Sequence, residues 1–227
     1  MCYRVPTEHR IFLAILGVAA ASLLAACGER GAAEAPAPSA TGKSVKANST
    51  AQTFYAVGRL GKNDAGLFAA AGAGDLRRVE LAIVAGGNIH ATDALKRTPL
   101  FAAAFCNHPA VVNFLIDKGS DVNVRDLLGM SPLHAAVIVG GEGAVQALIA
   151  KGANVNMQSA TGRTPLHLAA ATNQAALVEL LLAHGADAQA LSKDGITAAA
   201  LAEENGHPAL AAVLKQRQEQ QVEPSQP

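Results

Sequence analysis

Seven histidines and three cysteines are the residues through which this chain could do chemistry. An imidazole can ligate a metal or move a proton, and a thiolate can attack or bind metal, so each has to be placed first. His134 and His167 stand 33 residues apart, while His108 and His207 each follow an Asn or a Gly. No Gly-x-Ser-x-Gly, His-Glu-x-x-His or phosphate-binding loop occurs, and Gly72-x-Gly74 reads as a helix end. Cys106 has no basic neighbour in sequence and reads as a small residue near the end of a helix. The residues supply no catalytic constellation, metal-ligand set or cofactor site, so no enzyme is expected.

The elements that would position these residues follow a period of 33. Thr98, Ser131, Thr164 and Thr197 keep this spacing, and Pro99, Pro132 and Pro165 follow three of them. Ala70, Ala103, Ala136, Ala169 and Ala202 hold one register over five units. A hydroxyl residue before Pro starts a helix, because its oxygen caps free N–H groups and Pro loses nothing at the first helical position. The register Gly74, Asn107, Gly140, Asn173, Gly206 ends that short helix in a left-handed cap. A second helix follows with apolar residues at i, i+3 and i+4, as in Val112, Leu115, Ile116 and Val145, Leu148, Ile149. Gly86, Gly119, Gly152 and Gly185 stop it, and a polar stretch and a turn lead to the next unit. Such a helix pair cannot bury its own apolar face and must stack on its neighbours.

Thr164-Pro165-Leu166-His167-Leu168-Ala169-Ala170 and Ser131-Pro132-Leu133-His134-Ala135-Ala136 resemble the ankyrin-repeat signature, and Gly185-Ala186-Asp187 resembles its later half. The resemblance spans residues 63–216 and implies an all-α ankyrin solenoid of about five units, three full repeats between two degenerate caps. The first unit has Ala65-Gly66 in place of Thr-Pro; the last has Ala198-Ala199-Ala200 in place of Pro-Leu-His. The resemblance also implies that His134 and His167 brace neighbouring turns. One repeat separates them by about 8–10 Å, whereas two ligands of one zinc each come within about 2.1 Å of it. His108 and His207 are expected at the surface.

Half of the residues are apolar but only 4% are aromatic, which favours closely packed small-residue helices over a sheet. Lys plus Arg equals Asp plus Glu at 18 each, so the basic excess of a nucleic-acid binder is missing. Residues 1–26 read as an export signal, with Arg4 and Arg10 ahead of or at the edge of an apolar run from Ile11 to Ala26 that is too short for a permanent span. Leu24-Ala25-Ala26-Cys27 resembles the lipobox of bacterial lipoproteins, which implies lipidation of Cys27 and a membrane tether. With Gly28 rather than Asp after the cysteine, the resemblance is to lipoproteins of the outer membrane facing the periplasm. Residues 27–62 then form a Pro- and Ser-rich linker, with a reach of roughly 33 Å, in which Phe54 and Tyr55 are a candidate cap over the first repeat. Residues 217–227 are expected to be a disordered tail. Once Cys2 leaves with the signal and Cys27 carries lipid, Cys106 is a lone thiol.

Ankyrin stacks resemble a cupped hand and commonly bind proteins through finger tips and the shorter helices. Carried over residue by residue, this puts Leu95, Arg97, Leu127, Leu128, Met130 and Arg163 on the fingers. It puts Phe105, Ile138 and Val139 on the short helices. The apolar members would form one patch rimmed by Arg97 and Arg163, suited to a protein segment. The expected function is a protein-binding module of the bacterial envelope with a monomeric domain, no nucleic acid and no small-molecule substrate. Two roles remain open: an inhibitor or immunity protein with one tight partner, or a scaffold or stress-protection factor with several.

Overall fold

In a computed structural model describing residues 60–222, the hydroxyl register starts helices as its chemistry requires, with Pro at the first helical position in three units and Ala198 in the last. Thr98, Ser131 and Thr197 are N-caps whose side-chain oxygens accept the amides of Phe101, His134 and Ala200 at 3.3, 3.4 and 3.2 Å. The first helices of the five units are α1 (Lys62–Ala73), α3 (Pro99–Phe105), α5 (Pro132–Ile138), α7 (Pro165–Ala171) and α9 (Ala198–Glu204). The second helices are α2 (Leu76–Val84), α4 (Pro109–Asp117), α6 (Glu142–Ala150), α8 (Ala175–Ala183) and α10 (Pro208–Val222). Each pair is antiparallel about the Gly/Asn cap, where even Asn107 and Asn173 take left-handed φ values of 54° and 55°. The described residues are therefore an all-α solenoid, without strands.

The core is a ladder of equivalent positions. The alanines of the shared register are at most 1% exposed. So are Leu100, Leu133 and Leu166, and Val112, Val145 and Val178 of the second helices. Consecutive first helices touch from α1 through α9. Leu115, Leu148 and Leu181 are completely buried, and truncation of any one to Ala is a loss of about 2–5 kcal/mol.

Polar side chains sew unit to unit. Gly141 cannot cap α6 itself, and Asn107 of the preceding unit does so, its Oδ1 accepting the Ala144 amide at 2.9 Å. Asn123 and Asn156 accept the amides of Asn154 and Asp187 in the next loop, at 2.9 and 2.8 Å. His108, expected at the surface, is half-buried: its ring lies against Gly74 and its Nε2 is 3.1 Å from the Gly72 carbonyl. Burial lowers its pKa, against the effect of that hydrogen bond.

The two ends depart from the sequence reading. With no Pro to set its first turn, α1 starts at Lys62, so Ala65-Gly66 lies inside a helix of 12 residues. The added turn carries Asn63 and Asp64, which hydrogen-bond Ala85 and Asn88 of the following loop. At the other end, residues 217–222 are not a disordered tail but the last turns of α10. Gln218 donates to the Ala188 carbonyl and Gln221 both accepts from Ala188 and donates to Ala186, so side chains of α10 satisfy this loop.

Candidate partner-binding surface

Four fingers project between the units, at residues 92–97, 125–130, 158–163 and 191–196. Each is closed at its base by an amide-to-carbonyl bond: Asp93 to Arg97, Asp126 to Met130, Ser159 to Arg163 and Ser192 to Ile196, at 2.9–3.0 Å. Each also joins the next, since Leu127, Ala160 and Lys193 donate to the carbonyls of Leu95, Leu128 and Thr161 at 2.8–3.0 Å. The fingers therefore form a continuous hydrogen-bonded row rather than four independent loops.

Carboxylates hold the first two. Asp93 Oδ1 accepts the amides of Leu95 and Arg97, and Asp126 Oδ1 accepts those of Leu128 and Met130, at 2.8–2.9 Å. Arg97 does not rim a site: it is 5% exposed, and its Nη2 and Nε reach Asp93 Oδ2 at 2.5 and 2.8 Å. The expectation fails because the acid four residues earlier in the same finger draws the guanidinium inward. Burial raises the pKa of Asp126, with the Met130 and Leu128 amides and nearby Arg97 acting the other way.

Histidines hold the last two. The Nδ1 of His134 faces the Ser131 amide at 3.1 Å, so it must accept, and the Nε2–H donates to the Arg163 carbonyl at 3.1 Å. His167 repeats this with the Thr164 amide at 3.2 Å and the Ile196 carbonyl at 3.0 Å. Both rings are thus the neutral Nε2–H tautomer with both nitrogens occupied, which is the bracing role implied by the resemblance. Burial lowers the pKa of His134 to about 4 and lowers that of His167 as well. In the described residues no three His, Cys, Asp or Glu side chains converge on a possible metal site.

The nine partner-binding candidates do not form one patch. Leu127 and Leu128, at the tip of the second finger, are 53% and 40% exposed. Leu95 and Arg163 are half-buried on the fingers to either side. Phe105 is 6% exposed and forms a small cluster with Phe101 and Ala135, on which Met130, Val139 and Cys106 pack half-buried. Ile138 turns away and packs on the main core. The apolar surface is therefore a tip, Leu127-Leu128, beside a shelf made of Met130 and Val139. The sequence reading left out Arg125, whose guanidinium donates to the Gly129 and Gln158 carbonyls at 3.2 and 2.6 Å. It also left out Leu191 at 54% exposure. These two occupy one register with Thr92 and Gln158, and that alignment was the available signal.

Cys106 is disulfide-bonded, which corrects its reading as a lone thiol. Cys27, the proposed signal and linker, and Phe54 and Tyr55 lie outside the described residues. Among curated proteins, none matches this chain. A family model described as Ankyrin repeats (3 copies) matches residues 67–159 and again 138–224, which together are more than half of the chain. The caps, the buried alanine ladder, the finger row and this match agree, and the chain belongs to the ankyrin-repeat family.

Proposed function

We propose that this ankyrin-repeat chain, a protein-interaction module by its fold, binds one partner protein across its second and third fingers, with Leu127 and Leu128 as the anchors. The observation that carries the reading is the exposure of two adjacent leucines at a tip whose backbone is fixed on both sides. Leu127 donates to the preceding finger and the Leu128 carbonyl accepts from the following one. An apolar side chain held rigidly in water loses little conformational entropy when it enters a partner's pocket. We also infer tethering to a bacterial envelope membrane through lipid on Cys27. That inference rests on the Leu24–Cys27 sequence alone; no helix among the described residues is long and apolar enough to cross a membrane.

The tether and the disulfide make competing demands on sulfur. Of the other cysteines in the sequence, Cys2 falls in the proposed signal and Cys27 is the proposed lipid site, so one sulfur at Cys27 cannot carry both lipid and a disulfide. Peptide mapping of the membrane-extracted protein without reductant separates the two: an acylated peptide beginning at Cys27 supports the tether, and a cross-linked Cys27–Cys106 peptide sinks it.

For the binding reading, the full chain and its Leu127→Ser/Leu128→Ser variant are used as baits in an envelope extract of the source organism. One dominant protein retained by the first and at least tenfold depleted with the second is the expected result. A single stoichiometric partner favours an inhibitor or immunity role, and several favour a scaffold. Equal retention by both baits would place binding on another surface.

A further inference from the structure

We infer that the partner segment for which the finger row is built is acidic, with apolar anchors spaced to meet Leu127 and Leu128. This inference rests on the finger-row reading above. The fingers hold five of the twelve Lys and Arg among the described residues and three of the fourteen Asp and Glu. Burial sharpens that imbalance. Asp93 and Asp126 are buried and directed at backbone amides, and Arg97 is paired with Asp93. Four cations, Lys96, Arg125, Arg163 and Lys193, then face solvent wholly or partly, with Asp194 the one exposed acid among the finger residues.

The rest of the described molecule has the opposite sign, with seven Lys and Arg against eleven Asp and Glu. Three of its seven cations also find acids: Lys151 pairs with Asp117, Lys215 with Glu203 and Arg217 with Glu179. The four finger cations make no ion pair among the described residues. Two of them are placed by backbone instead. Lys96 sits at a left-handed position of its turn (φ 58°), and Arg125 is fixed by two carbonyls. A near-neutral chain that gathers four cations without ion pairs along the row carrying Leu127, Leu128 and Leu191, three of its four exposed leucines among the described residues, presents a surface complementary to an acidic, apolar peptide. An anionic membrane is the less favoured ligand. A flat bilayer would meet one face of the row, whereas leucines at a jointed ridge suit a segment that can wrap it.

The test selects a random peptide library displayed on phage against the full chain, with Lys96→Glu/Lys193→Glu and Leu127→Ser/Leu128→Ser as counter-targets. Selected peptides are expected to be rich in Asp and Glu around two or more apolar residues. Binding should weaken about tenfold in the charge-reversed variant and similarly between about 0.05 and 0.5 M salt. Peptides without acidic enrichment, lost only on the leucine variant, would overturn the acidic partner while leaving the finger surface standing. Peptides indifferent to both variants would overturn both. Sedimentation with phosphatidylcholine vesicles containing a minority of phosphatidylglycerol is the further arm. Binding there that the charge reversal abolishes, without any acidic peptide selected, would assign the row to a membrane and sink the proposal.

Discussion

The first two fingers and the last two have the same backbone and are held by opposite chemistry. In fingers one and two an aspartate at the base accepts two amides, and the side chains at the first-helix brace position are Phe68 and Phe101. In fingers three and four the base residue is Ser159 or Ser192, and His134 or His167 stands at that position and donates to the finger. The tips diverge in step, from Ala94-Leu95 and Leu127-Leu128 to Ala160-Thr161 and Lys193-Asp194. One half of the row is thus an acid-based, apolar-tipped pair, and the other an imidazole-based, polar-tipped pair. A repeat can keep its shape while exchanging the groups that enforce it, provided each amide and carbonyl is satisfied by something.

The comparison breaks most visibly at Asp93. Asp93→Ala leaves the Arg97 guanidinium buried without its acid and two amides without an acceptor, and should cost about 3–5 kcal/mol in denaturant unfolding. Ser192→Ala removes one hydrogen bond to the Ile196 amide and should cost about 1 kcal/mol. Equal losses would mean that the acid-based fingers are no different in kind.

Acid should separate the halves in the other direction. Because the folded pKa of His134 lies below the ordinary histidine value of 6.5, the neutral ring's contribution is complete above pH 6.5 and is lost as pH falls toward about 4. That loss amounts to about 3 kcal/mol from His134, with His167 adding to it in the same sense. Asp126 runs the opposite way: its raised pKa means that protonation in this range favours the folded state. Hydrogen exchange followed from pH 7 to 4, corrected for intrinsic rates, should show Arg163 and Ile196 and their neighbours losing protection before residues 93–97 and 126–130. Uniform loss along the row would refute the division.

A smaller effect tests the stacking itself. Gly162 and Gly195 share a left-handed φ near 75°, but an added Cβ would meet the Lys193 amide nitrogen at 2.5 Å at Gly162 and nothing within 4 Å at Gly195. Gly195→Ala should cost about 1 kcal/mol from backbone conformation alone. Gly162→Ala should lose about 2 kcal/mol more and slacken the contact between the third and fourth fingers.

The parts of this fold that read clearly from sequence are those that recur. The caps at Thr98, Ser131 and Thr197, the alanine ladder and the imidazole braces do the same work in successive units, so each is seen several times over. The site was legible in location and only partly in detail. Arg97 reads as a rim residue until Asp93, four positions earlier, is allowed to claim it. Phe105 reads as exposed until Phe101, one helical turn back, is set beside it. Both outcomes depend on neighbours that differ from unit to unit, so periodicity carries no information about them. The end of α10 carries no apolar period in sequence because residues 217–221 are all polar. Their helix is fixed by glutamines bonded to a loop about thirty residues earlier, which no local pattern announces.

Several of the bonds between units reach forward along the chain. Asn107 closes the first turn of a helix in the following unit, and His134 holds a carbonyl 29 residues beyond it. A nascent chain leaves the ribosome with its amino end first, so each unit emerges bearing donors and acceptors whose counterparts have not yet been synthesised. Translation therefore imposes a direction on assembly, each unit being completed by its successor. At the last described unit Gln218 and Gln221 in the long α10 satisfy the loop at Ala186 and Ala188 with side chains of the same unit. A chain truncated before Pro208 would keep an open, unsatisfied edge, the kind of defect by which a cell's quality-control proteases tell an unfinished product from a finished one.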